Sequence, residues 1–149
     1  MLDDLKLIHE RDAQDTLGIV AKQWQQLNHA FTPTGSTTFG PISNVVYAAM
    51  GGSAMAASML LSWPKIAKPF EVVRDYDIPD YVNNETLVIF SSYSGNTEET
   101  LSALEQAEAK GAQIAIVTAG GKLQQIASEK GYLLVTLPQT VFARCGTFA

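Results

Sequence analysis

Ser92, Ser94 and Thr97 are the residues of this 149-residue chain best suited to chemistry, grouped in Ser92-Tyr93-Ser94-Gly95-Asn96-Thr97-Glu98-Glu99-Thr100. The stretch comes directly after the apolar run Thr86-Leu87-Val88-Ile89-Phe90 and opens a helical pattern. A strand that ends in hydroxyls and a glycine before turning into a helix gathers O–H donors and unpaired helix amides at one point. Such a cradle suits an anion, and phosphate is its natural guest. Each hydrogen bond to a charged acceptor contributes roughly 1.5–3 kcal/mol, so several of them with helix amides can hold a phosphate without a lysine. Asn96 and Glu99 have the spacing of an Asx-type capping box for the helix. Glu98 and Glu99 add negative charge, but at about 8 Å in water each repels a unit anion by only about 0.5 kcal/mol.

A second candidate lies earlier, in Ala49-Met50-Gly51-Gly52-Ser53-Ala54. Gly51 and Gly52 let the backbone approach a ligand, and Ser53 can cap the next helix or donate to an oxyanion. A tight turn with an N-cap is the structural alternative for these three residues. The two clusters meet if each ends a neighbouring strand of one sheet, because open α/β sheets bind ligands beyond the carboxyl ends of their strands.

The apolar pattern predicts such a sheet. Short runs at 45–49, 70–73, 86–90, 114–117 and 133–136 alternate with helical segments over 53–63, 97–110 and 122–130. Val- and Ile-rich strands without polar alternation are covered on both faces, which implies a parallel sheet between helices, a three-layer αβα sandwich. Upstream, Leu2, Leu5, Ile8, Leu17, Val20, Trp24, Leu27 and Phe31 recur at helical intervals. That helix is expected to break near Asp12-Ala13-Gln14-Asp15, where an acidic cap restarts it. The expected organisation is a helical arm over 1–38 and an α/β domain over 39–149.

Several functions are disfavoured. A net charge of −5 with no basic run argues against nucleic acid or an anionic membrane surface as main partner. No apolar stretch reaches membrane-spanning length, and the acidic start Met1-Leu2-Asp3-Asp4 is not that of a signal peptide. The Ala49 cluster lacks the glycine spacing of a dinucleotide fingerprint, and Gly120-Gly121-Lys122-Leu123 lacks the Ser or Thr of a P-loop. Those two glycines are expected to turn the chain after a strand ending at Thr118. His9 and His29 fall in the arm as solvent-facing side chains, and no metal-ligand spacing occurs, so neither metal nor cofactor is expected. Trp24 and Trp63 are expected to pack. The single cysteine, Cys145, fits a reducing, cytoplasmic compartment and is otherwise a core residue.

Taken together, these residues resemble the SIS (sugar isomerase) domain family, and within it the bifunctional phosphoglucose/phosphomannose isomerase branch. The resemblance runs from the helical arm through Gly51-Gly52-Ser53-Ala54 and the Ser92 to Thr100 signature to the strand ending near Pro138. It implies a flavodoxin-like parallel sheet and a sugar phosphate whose phosphate is bound by Gly52, Ser53, Ser92, Ser94 and Thr97. It further implies that Arg144, six positions after Pro138, stabilises the enediolate formed during aldose–ketose isomerisation, since a fixed guanidinium favours developing oxyanion charge. Without the resemblance, Arg144 is a solvated surface charge. Ala49 and Ala143 depart from the family pattern, which has glycine and proline there. The resemblance assigns the general base, a ring-opening histidine and a lysine to a second SIS domain beyond Ala149. On this basis the isolated chain binds sugar phosphate without turnover, and its apolar end from Val141 to Ala149 is expected to seek burial in a homodimer. Two alternatives stay open: a non-catalytic sugar-phosphate sensor, and a structural half-domain whose cradle only caps helices.

Overall fold

A computed structural model describes residues 4–62 and 65–139. Trp63 and the segment holding Arg144 and Cys145 lie outside the described residues. The five apolar runs form one sheet of parallel strands: β1 (Asn44–Ala49), β2 (Phe70–Val73), β3 (Thr86–Ser92), β4 (Gln113–Thr118) and β5 (Leu133–Thr136). Their order is β2-β1-β3-β4-β5, the flavodoxin-like arrangement, whose direction of winding reverses between β1 and β3. Right-handed crossovers then put α3 (Gly51–Leu60) on one face and α4 (Glu98–Ala109) with α5 (Gly121–Lys130) on the other.

The two faces are unequally buried. Val46, Val88, Phe90 and Ile116 point to the α4/α5 side, where they are fully buried with Leu104 and Leu123. On the opposite side the alternate residues Val45, Tyr47, Leu87, Ile89, Val117 and Val135 are only half-buried. Helix α3 meets the sheet there through two alanines, Ala54 and Ala57, and leaves its larger side chains in water. Among the described residues the cover is thus complete on the α4/α5 face and thinner on the α3 face, where Ala49, Ser91 and Ala115 are nonetheless buried.

Upstream of the sheet the arm is shorter in its helices than its periodicity suggested. It forms α1 (Leu5–Arg11), α2 (Thr16–Ala21) and a 3₁₀ turn (Gln23–Asn28). The break falls where expected: the Asp12 carboxylate accepts from the Thr16 and Leu17 amides at 2.8 and 2.7 Å, and those bonds hold its carboxyl below the usual range. Neither α1 nor α2 buries a residue, and Trp24, expected to pack, is 61% exposed. Helical spacing records an apolar stripe, but burial needs a partner surface. His9 and His29 are exposed, with His29 edge-on to Phe31. Near the end of the arm, Thr34 bridges to Leu134 on the edge strand β5, exchanging two backbone hydrogen bonds of 2.9 Å.

Helix α4 is tied to α5 and β5 through one polar cluster. Lys130 donates to both Glu108 carboxylate oxygens at 2.7 and 2.6 Å, and the Tyr132 hydroxyl donates to Glu108 Oε1 at 2.8 Å. Burial, then the bond to Glu108 and the charge of Glu108, push the Tyr132 phenol up to about 12 from its ordinary value of 10.0. A phenol bound more tightly to its proton in the folded state contributes stability that is complete below pH 10 and is lost as pH rises through about 12. Chemical denaturation between those pH values should show the unfolding free energy falling more steeply for the native chain than for Tyr132→Phe.

Candidate functional site

Both candidate clusters sit at the carboxyl ends of adjacent strands. Ala49, last in β1, pairs with Ser91 of β3, and Ser92 pairs with Thr118, last in β4, so three strand-to-helix turns share one edge of the sheet. That edge includes the β1/β3 reversal, where the turns leave toward opposite faces and open a crevice.

Within the β3–α4 turn the three hydroxyls converge. Ser92 Oγ and Thr97 Oγ1 share a hydrogen bond of 2.7 Å, and Ser92 Oγ lies 3.4 Å from Ser94 Oγ. The Gly95 amide donates to Ser92 Oγ at 3.2 Å and the Asn96 amide to Ser94 Oγ at 3.3 Å, which fixes both serines against the backbone. Ser92 is buried, Thr97 half-buried and Ser94 exposed, so the group grades from the sheet out to solvent. Thr97 is the N-cap of α4, yet its hydroxyl faces Ser92 and does not cap its own helix. The first-turn amides of α4 are thus left without a side-chain cap.

The capping box expected of Asn96 and Glu99 is not formed. Asn96 reaches across to the neighbouring turn instead: its Oδ1 accepts from the Lys122 amide at 3.0 Å and its Nδ2 donates to the Ser94 carbonyl at 3.1 Å. It caps α5, not α4. The Leu123 amide donates to the Gly95 carbonyl at 3.0 Å, and the Ala119 amide to the Tyr93 carbonyl at 3.1 Å. Of the three helix starts at this edge, that of α5 is therefore taken up by protein acceptors, while those of α3 and α4 carry no side-chain cap.

Of the two roles open to Ser53, capping the helix is not the one it takes. Helix α3 begins two residues earlier, with Met50 as N-cap, so Gly52 and Ser53 belong to its first turn. Gly51 takes a positive φ of 50°, and a Cβ there would meet nothing within 4 Å. The geometry, not crowding, calls for glycine at that point. The structure brings Ser92, Ser94 and Thr97 into hydrogen-bonding distance of one another, whereas Ser53 stands on the adjacent junction without a hydrogen bond to them. Arg144 falls outside the described residues.

Sequence reasoning missed the far wall. A cavity of about 300 Å³ is lined by Tyr93, Ser94, Ala119, Gly120, Gly121 and Gln139, so the glycines after β4 form part of a site edge as well as a turn. The Tyr93 hydroxyl donates to the Pro138 carbonyl at 3.0 Å and Gln139 Nε2 to the Ala119 carbonyl at 3.0 Å, anchoring the chain after β5 beside this wall. The available signal was a hydroxyl at a strand end followed closely by glycine, repeated at Ser92/Gly95 and Thr118/Gly120. The electrostatics are acidic on the remaining side. Tyr76 lies 3.5 Å from Glu98 Oε2, and the charge of Glu99, then desolvation and Glu98, push its phenol up.

Comparison with known proteins identifies the family. The SIS domain family profile matches residues 41–143. The chain belongs to the SIS domain family. It is 50% identical over 99 residues to the bifunctional phosphoglucose/phosphomannose isomerase of Caldicellulosiruptor bescii, covering 65% of this chain and 29% of that protein. It is 47% identical over 104 residues to the protein of the same name from Thermoplasma acidophilum, covering 70% and 32%. This SIS chain therefore spans about a third of the relatives it matches. The crystal structure of tagatose-6-phosphate ketose/aldose isomerase from Escherichia coli shares the fold, with a TM-score of 0.55 and 24% identity over 64% of this chain and 29% of that one.

The SIS turns touch backbone to backbone. Gly95 has a φ of +67°, and an added Cβ would stand 1.8 Å from the Gly120 carbonyl oxygen. Gly111, with a φ of +70°, has nothing within 4 Å of the same added atom. Gly111→Ala should cost about 1 kcal/mol of unfolding free energy in denaturant titrations, the left-handed penalty alone. Gly95→Ala should cost about 3 kcal/mol or more, because a carbonyl must also move.

Proposed function

We propose that this chain is the sugar-phosphate-binding SIS domain of an aldose–ketose isomerase that interconverts glucose 6-phosphate or mannose 6-phosphate with fructose 6-phosphate through an enediol. The observation that carries this reading is the convergence of Ser92, Ser94 and Thr97 beside uncapped amides of α4, at the reversal of the sheet. Phosphate oxygens accept hydrogen bonds only, so three hydroxyls able to turn their protons outward, with helix N–H groups behind them, match that chemistry. Gly52 and Ser53, on the junction next to them, contribute a backbone approach and a fourth hydroxyl. The names of the relatives support isomerisation as the reaction of the longer protein.

Chemistry at the sugar needs a base within hydrogen-bond reach of the C2 proton. Glu98 is exposed and turned to Tyr76, and both histidines belong to the arm. In this proposal the base comes from the part of the longer relatives that this chain does not span, and Arg144 stabilises the enediolate. The chain by itself binds substrate without turning it over. It works in the cytoplasm and as a homodimer, a reading supported by its lone cysteine and its exposed apolar side chains.

Thermal unfolding with added sugar phosphate tests the binding, because a ligand that binds only the folded chain must stabilise it. Glucose 6-phosphate and fructose 6-phosphate should raise the melting temperature, while glucose should not. Ser94→Ala and Thr97→Ala should each weaken affinity about ten- to a hundredfold, the loss of one hydrogen bond to a charged acceptor. Unchanged affinity in both variants overturns the assignment.

A further inference from the structure

We propose that Asn96 is the positioning residue of the hydroxyl cradle, a step that rests on the sugar-phosphate reading above and names what aims Ser94 at the ligand. Of the converging hydroxyls, Ser92 is buried and Thr97 half-buried, but Ser94 is exposed. An exposed serine samples several rotamers in water unless something holds it. Asn96 does so through two bonds: its backbone amide donates to Ser94 Oγ at 3.3 Å, and its Nδ2 donates to the Ser94 carbonyl at 3.1 Å.

These bonds decide what Ser94 has left to offer. With a lone pair of Oγ taken by the Asn96 N–H, the hydroxyl proton turns away from that amide, to the side where Ser92 Oγ lies 3.4 Å away. A hydroxyl that accepts from an amide is also a stronger donor, because hydrogen bonds in a chain polarise one another. Ser94 is thus set up to donate, which is what an acceptor-only phosphate oxygen requires.

The hold is as firm as its anchor. Asn96 Oδ1 accepts from the Lys122 amide at 3.0 Å, in the first turn of α5, and the next residue, Leu123, is fully buried in the core. The carboxamide therefore links a helix seated on the sheet to a serine in solvent. Gly121 makes room for it. A Cβ at that position would stand 2.9 Å from both Asn96 Oδ1 and Nδ2, besides meeting the Ser94 carbonyl. The Gly120-Gly121-Lys122 stretch, which lacks the residues of a P-loop, acquires a part in the site as the seat of this side chain.

Only a carboxamide serves both partners. They are backbone groups of fixed polarity, an N–H and a C=O, and so they fix which end of the group is oxygen. A carboxylate keeps the bond to Lys122 but turns the other into a repulsion between two acceptors.

Isothermal titration with glucose 6-phosphate over a double-mutant cycle tests the role. Asn96→Ala should weaken affinity about tenfold in the native background. In a Ser94→Ala background it should weaken affinity less than about twofold, because the group it aims is gone. Asn96→Asp, which keeps an acceptor for the start of α5, should melt at a higher temperature than Asn96→Ala and yet bind no better. An equal loss in both backgrounds overturns the proposal, since Asn96 then does not act through Ser94. Native affinity in both Asn96 variants also overturns it and reduces Asn96 to a helix cap. The sugar-phosphate reading survives either result, whereas a native chain that binds no sugar phosphate overturns that reading and this proposal together.

Discussion

The candidate site depends on the close contact of two backbone turns. Gly95 and Gly121 both take positive φ, and an added Cβ on either would run into the other turn, at the Gly120 and Ser94 carbonyls respectively. This approach lets the β3–α4 turn supply acceptors to the start of α5 through Gly95 and Asn96. With its outer side fastened to α5, the turn must present its hydroxyls on the inner side, toward Thr97 and the crevice. In the proposed reading this rigidity serves binding, since donors already held in place lose little freedom when a ligand arrives. A looser turn would satisfy Ser92 and Ser94 with water and leave the phosphate to order them.

In the proposed reading the phosphate is held by hydroxyls and helix amides, none of which carries a formal charge. Glu98 and Glu99 flank one side, as the raised Tyr76 phenol records, while Lys122 stands at the neighbouring turn with its amide bonded to Asn96. Such a site gains little from long-range attraction, and the chain's net negative charge opposes the approach of an anion. Affinity must then come from short-range hydrogen bonds, which depend on donor direction. The consequence is selectivity by shape: an anion that fits three converging hydroxyls and a helix start is favoured over one that merely carries charge.

Much of this was legible in the sequence, for identifiable reasons. All five strands were evident because parallel strands between layers are apolar throughout, and the Gly and Ser clusters punctuated them. The hydroxyl convergence followed from a serine at a strand end and a threonine at the next helix start. The partner of Asn96 was not legible, because capping rules look three residues ahead and Lys122 lies twenty-six away. Nor was the exposure of Trp24 and the arm, since periodicity marks an apolar stripe without naming what covers it. The start of α3 was set two residues late because Gly51 and Gly52 favour turns, while here Gly51 uses its positive φ to enter the helix directly from Met50.

The uneven burial of the two faces connects the site to the rest of the molecule. On the α4/α5 side the core is closed, so the hydroxyl turn rests on fully buried Phe90 and Leu104 and has little room to shift. On the other side α3 stands on two alanines, a small contact for a ten-residue helix that also carries Gly52 and Ser53. Burial of two methyl side chains holds a helix far less firmly than burial of leucines would. One wall of the crevice is therefore firm and the other lightly held.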